Sequence, residues 1–166
     1  MEVFETTRQT TGHWLKLVME ELGTEDRHRA YLALRATLHA LRDRLSPQST
    51  AALSAQLPML VRGFYYEGWN PEGKPELHRT RAEFLEPVRK AFANDDSVDP
   101  EEVAQAVFRV LSQQISPGEI SRLVRQFPED LRTLWPQEKR DAAAVYTAPS
   151  RKPGPAGKPG SEKRAG

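Results

Sequence analysis

Adding 70 to a residue number, with no gap, lands again and again on the same chemistry, so residues 3–67 and 73–137 read as one segment written twice. Ser46-Pro47 returns as Ser116-Pro117, Leu53 as Leu123, Gln56 as Gln126, Pro58 as Pro128 and Arg62 as Arg132. Apolar positions return as well: Trp14 with Phe84, Val18 with Val88, Leu38 with Phe108, Leu41 with Leu111, Leu45 with Ile115 and Leu57 with Phe127. A register of this length constrains the chain more than any motif in it, because whatever the first copy folds into, the second must fold into too.

Size then decides how the copies combine. With 166 residues, 38% of them hydrophobic, the chain can bury one sizeable core but hardly two independent ones. The expectation is one packed body of two repeats, residues 1–70 and 71–146, followed by a tail at 147–166. From Ala148 onward five basic residues, Arg151, Lys152, Lys158, Lys163 and Arg164, stand against Glu162 alone. Of the net charge of +1, the tail carries +4 and the remainder −3. Its Pro, Gly, Ala and Ser content predicts disorder. Such a basic arm can make weak, salt-sensitive contacts to nucleic acid, or serve only as a solubilising terminus.

The absence of cysteine excludes a disulfide framework, a thiolate zinc site and thiol redox chemistry. The first 30 residues lack the basic start and apolar run of a signal peptide, and no run of 18 apolar residues occurs. A soluble, cytoplasmic protein without membrane contact is expected.

Tyr31, Leu34, Leu38, Leu41 and Leu45 step by 3, 4, 3 and 4, one stripe of a helix, and Ala104, Phe108, Leu111 and Ile115 repeat it. Each stripe ends at a Ser-Pro pair, which caps a new helix: the hydroxyl takes an orphan amide, and proline's missing N–H costs nothing at the first helical position. Ser116-Pro117-Gly118-Glu119 has the spacing of a capping box. Asp99-Pro100-Glu101-Glu102 has the same logic. Pro58 and Pro128 each end one helix and open another, since an interior proline costs about 3 kcal/mol. A leading helix from about Thr10 to Leu22, closed by Gly23, and its copy from about Thr80 to Phe92 complete a four-helix unit. No strand-like alternation competes. The expected fold is all-α, two tandem four-helix repeats related by pseudo-two-fold symmetry, joined through Asn70-Pro71-Glu72-Gly73-Lys74-Pro75.

Two segments of the first copy carry a resemblance, Leu34-Arg35-Ala36-Thr37-Leu38-His39-Ala40-Leu41-Arg42-Asp43-Arg44-Leu45 and Gln56-Leu57-Pro58-Met59-Leu60-Val61-Arg62-Gly63-Phe64-Tyr65-Tyr66-Glu67-Gly68-Trp69. In these, and over residues 3–138 generally, the chain resembles the bacterial family known as domain of unknown function 2267. Pro71 fits it too, with Asn70 where the family would place an aspartate. The resemblance implies a bacterial, cytoplasmic, helical protein and brings no activity with it.

Repetition also sorts candidate sites: positions kept in both copies serve the shared fold, whereas polar positions that differ are free to serve function, or to drift. Arg35, His39, Arg42 and Asp43 stand where the second copy has Gln105, Arg109, Ser112 and Gln113. The first three fall within roughly 60° on one flank of the leucine stripe. Two guanidinium groups and an imidazole suit a carboxylate or phosphate, with Asp43 reaching back to His39 to fix its tautomer. Alternatively the arginines reach acidic residues such as Glu67 and tie the last helix of the copy down. Phe64 and Tyr65, matched by Leu134 and Trp135, belong to the core. Tyr66, Glu67 and Trp69 become Pro136, Gln137 and Lys139, and form either an exposed patch for a partner or a lid on the open end of the bundle.

Metal binding has little to build on. His13, His28, His39 and His78 offer no histidine pair at i+4, and His39 with Asp43 supplies two ligands where zinc needs three or four. Neither a phosphate loop nor a nucleophile elbow occurs, and no cofactor is expected. The leading expectation is a non-enzymatic helical interaction or scaffold protein with its recognition surface on the first copy. The rival is a small-molecule or anion-binding protein, with an enzyme included, using Arg35, His39 and Arg42 in a cleft.

Overall fold

Every regular element in the computed structural model, which describes residues 1–77 and 80–145, is a helix. In chain order these are α1 (Glu2–Leu22), α2 (Arg27–Arg44), α3 (Pro47–Ser54), α4 (Met59–Tyr66), α5 (Arg81–Ala91), α6 (Pro100–Gln114), α7 (Pro117–Gln126), α8 (Glu129–Arg132) and α9 (Gln137–Val145). Among the described residues there are thus nine helices, one more than the eight expected. The basic tail residues Arg151, Lys152, Lys158, Lys163 and Arg164, and His78, lie outside the described residues.

The helix boundaries follow from capping chemistry. Ser46 and Ser116 each accept a hydrogen bond from the amide three residues on, with Pro47 and Pro117 inside the first turn. Asp99 caps α6 in the same way through Glu101 N–H, and Asp26 caps α2 through His28 and Arg29. Gly23 closes α1 at φ 64°, a left-handed conformation natural to glycine, while Thr24 N–H returns to the Met19 carbonyl. One expectation fails in part: Ser116 N–H does not complete a capping box with Glu119 but donates at 2.9 Å to Gln56 Oε1 in the other half. Glu119 turns instead to Arg122.

Two departures have identifiable causes. α1 begins at Glu2 rather than near Thr10, because Glu2 and Glu5 occupy the favourable first turn and Arg8 bridges back to Glu5. That support is local, and an apolar stripe does not reveal it. α9 arises because Pro136, at the position of Tyr66, opens a new helix: its carbonyl accepts from Lys139 and Arg140 N–H.

α2 and α6, the helices of the two leucine stripes, lie at the centre. α1 packs against both of them, and so does α5. Residues from Trp14 to Ala143 consequently form a single apolar cluster, in which each fully buried large side chain stabilises by roughly 1.5–3 kcal/mol. The second half fills it with aromatics: Trp135 stacks on Phe108 at 4.2 Å, and Phe127 meets both edge-on. α4 rests on α1 and α2, and α7 on α6 and α9. No helix among the described residues is long and apolar enough to cross a membrane.

Candidate functional site

The geometry that matters begins where α4 runs out. Its eight residues end at Tyr66, and Glu67 leaves the helix at ψ 122°, so the last carbonyls lack their usual i+4 amides. Each finds another donor. Phe64 C=O lies 2.6 Å from His39 Nε2, Tyr65 C=O and Glu67 C=O each accept from Arg42 Nη1 at 2.8 Å, and Tyr66 C=O accepts from Trp69 N–H at 2.9 Å. Arg35, His39 and Arg42, one helical turn apart along α2, are thus brought together at the negative end of the α4 dipole.

Their charges are answered as well. Arg42 is only 5% exposed, and its Nε and Nη2 grip the two carboxylate oxygens of Asp43 at 2.9 and 3.3 Å. Arg35 reaches Glu67 Oε2 at 3.2 Å. Asp43 therefore faces Arg42 and not His39, contrary to the expected tautomer-setting pair. The Phe64 carbonyl takes that role, since an oxygen at 2.6 Å requires the proton on Nε2. Burial holds the His39 imidazole below its ordinary pKa; the Phe64 carbonyl opposes this, and the nearby charges of Arg42 and Arg35 add to it.

Asp43 also anchors the joint between the halves: Lys74 Nζ lies 3.9 Å from its carboxylate and 2.7 Å from Glu76, whose N–H donates to the Asp43 carbonyl at 2.8 Å. In the second half the same flank faces α1, where Arg109 and Gln113 both reach Glu21. Gln105 turns to Glu101, and Ser112 Oγ is buried with no partner among the described residues.

Tyr65 is fully buried, its hydroxyl donating to the Thr50 carbonyl at 3.0 Å, and burial pushes its pKa up. Phe64 is only half-buried and meets Tyr31 edge-on at 5.4 Å. Tyr66 donates to Ser54 Oγ at 3.0 Å and its ring lies 5.4 Å from that of Trp69, both half-buried. The indole N–H of Trp69 is buried without an acceptor among the described residues. Tyr66 and Trp69 thus pack over the α3–α4 end, while Glu67 is exposed. No group of three or more His, Asp or Glu among the described residues is arranged to hold a metal ion.

The surface that sequence reasoning missed lies between α1 and the start of α4. Phe4 is 63% and Met59 56% exposed, their chain neighbours Val3 and Leu60 are exposed too, and Glu2, Val3, Thr6, Thr7, Thr10, Pro58 and Met59 line a hollow of about 460 Å³. The signal that reveals it is the offset of 70. At these four positions the second copy has Gly73, Lys74, Glu129 and Asp130, none of them apolar.

The family model described as Uncharacterized conserved protein (DUF2267) matches residues 11–134, from α1 to the turn after α8. No curated protein matches the chain.

Proposed function

The chain belongs to the DUF2267 family, and from that premise we propose that it is a non-enzymatic helical interaction module with its recognition surface on the first repeat. The observation that carries this reading is the exposed apolar face of Val3, Phe4, Met59 and Leu60 beside a hollow between α1 and α4. Exposed apolar residues grouped around a concavity mark interaction surfaces more often than isolated ones do. The corresponding Glu129 and Asp130 begin α8 from the same post-proline positions, so the fold does not require apolar side chains there.

The Arg/His flank supports the rival less. A free anion would have to compete with three backbone carbonyls and two carboxylates for Arg35, His39 and Arg42, and Arg42 would have to leave its buried position. The donors already act as the cap of α4.

A photoreactive benzoylphenylalanine placed at Leu60, and separately at Phe4, tests the reading in cells that make the protein. The expected result is a discrete protein adduct from either position and none from exposed Asp96 on the opposite half. Absence of an adduct at both would reject the surface as a recognition site.

A further inference from the structure

The stripe by which α1 enters the core continues past the edge of the body. Phe4, Thr7, Thr11, Trp14 and Val18 step by 3, 4, 3 and 4 along one face. Trp14 and Val18 are buried, Thr7 and Thr11 half-buried, and Phe4 exposed. A core face has therefore outrun the body beneath it. At the edge stands Pro58, and the first two residues of α4, Met59 and Leu60, are again apolar and exposed. The result is a ridge, Val3 and Phe4, at the rim of a hollow whose walls are Glu2, Val3, Thr6, Thr7, Thr10 and Met59.

We propose that a second copy of this chain covers this face, the ridge of one copy seated in the hollow of the other about a two-fold axis. The inference rests on the interaction-module reading and names its partner. Two observations favour a second copy over an unrelated helix. First, ridge and hollow lie side by side on one surface, so the face supplies both halves of a self-complementary contact, which is the requirement of an isologous interface. A hollow of about 460 Å³ has room for the side chains of Val3 and Phe4 together. Second, Val3, Phe4, Met59 and Leu60, each 47–63% exposed, make an apolar patch on the order of 400 Å² per chain, so a symmetric pair that covered it would bury on the order of 800 Å², just short of the ~1,000 Å² that a biological interface has to clear. An area this near the threshold calls for a reversible dimer.

Sedimentation equilibrium on the full chain tests it. The expected result is a concentration-dependent equilibrium between 18.8 kDa and twice that mass, which Phe4→Glu and Leu60→Glu each weaken at least tenfold while the helical circular dichroism is unchanged. Phe4 lies on the overhang and Leu60 on α4, so loss of folding in one variant leaves the other as the test. A monomer at all concentrations up to about 0.1 mM, or a dimer that neither variant weakens, overturns the proposal. The photo-adduct keeps the two readings apart. An adduct of twice the chain mass upholds both, an adduct to a different protein from a monomeric chain overturns self-association alone, and no adduct with a monomeric chain overturns both.

Discussion

Arg42 and Tyr65, 23 positions apart, meet through a 2.8 Å hydrogen bond from a buried guanidinium nitrogen to a main-chain carbonyl. The same nitrogen serves the Glu67 carbonyl, so one side chain of α2 ends α4. In the second half Ser112 stands at this position, and α8, with four residues, is followed by Pro136 and a new helix. A long cationic cap is needed only where a helix stops against the body.

Replacing Arg42 by the residue of the second copy, Arg42→Ser, is therefore expected to destabilise the protein by about 3 kcal/mol, because it leaves the buried Tyr65 carbonyl and the Glu67 carbonyl without their donor and Asp43 without its guanidinium partner. Urea unfolding followed by circular dichroism measures this. A change below about 0.5 kcal/mol would show that α4 is held by its apolar face alone.

Leu41 and Leu111 are both fully buried in the one apolar cluster. Leu41→Ala and Leu111→Ala should each cost about 2 to 5 kcal/mol, and in each variant the whole protein should melt in a single transition. Two separable transitions in calorimetry would assign the halves separate cores.

His39 makes stability depend on pH with a definite sign. Its folded pKa lies below the ordinary value of 6.5, chiefly through burial, so the unfolded chain binds the proton more readily. The stability it contributes is complete above that ordinary value and is lost as pH falls through the lowered folded value. Between about pH 7.5 and 5.5 the unmodified protein should lose more stability than His39→Gln, which retains an N–H for the Phe64 carbonyl. Parallel slopes of denaturation midpoint against pH for the two proteins would refute this.

The apolar face should be dispensable for folding. Met59→Glu with Leu60→Asp introduces the residues that begin α8, places two carboxylates in the first turn of α4 where the helix dipole favours them, and removes no buried packing. At protein concentrations low enough to keep the parent monomeric, stability is expected to stay within about 0.5 kcal/mol of the parent in thermal melts. A loss of about 2 kcal/mol or more would mean that these side chains belong to the core.

The leucine stripes, the Ser-Pro caps and the proline breaks could all be read directly from the chain. Each depends on residues near in sequence: a capping serine needs an amide three positions away, and a stripe needs only the period of a helix. Arg62 and Arg132 show the same economy. Written in both copies, they donate to the carbonyls of Leu57 and Phe127, each five residues back. The family resemblance followed from the same local segments.

Tertiary structure alone decided what the unmatched residues do. Arg35, His39 and Arg42 share a flank by periodicity, but whether that flank meets solvent, a ligand or a helix end depends on where α4 comes to rest, about 25 residues later in the chain. Periodicity also implied a partner for His39 in Asp43, whereas the fold offered Asp43 the closer guanidinium of Arg42 and offered His39 a carbonyl. Val3, Phe4, Met59 and Leu60 look like core by composition. They are exposed because no described residue covers the first turns of α1 and α4, and no property of these four residues encodes where their neighbours stop.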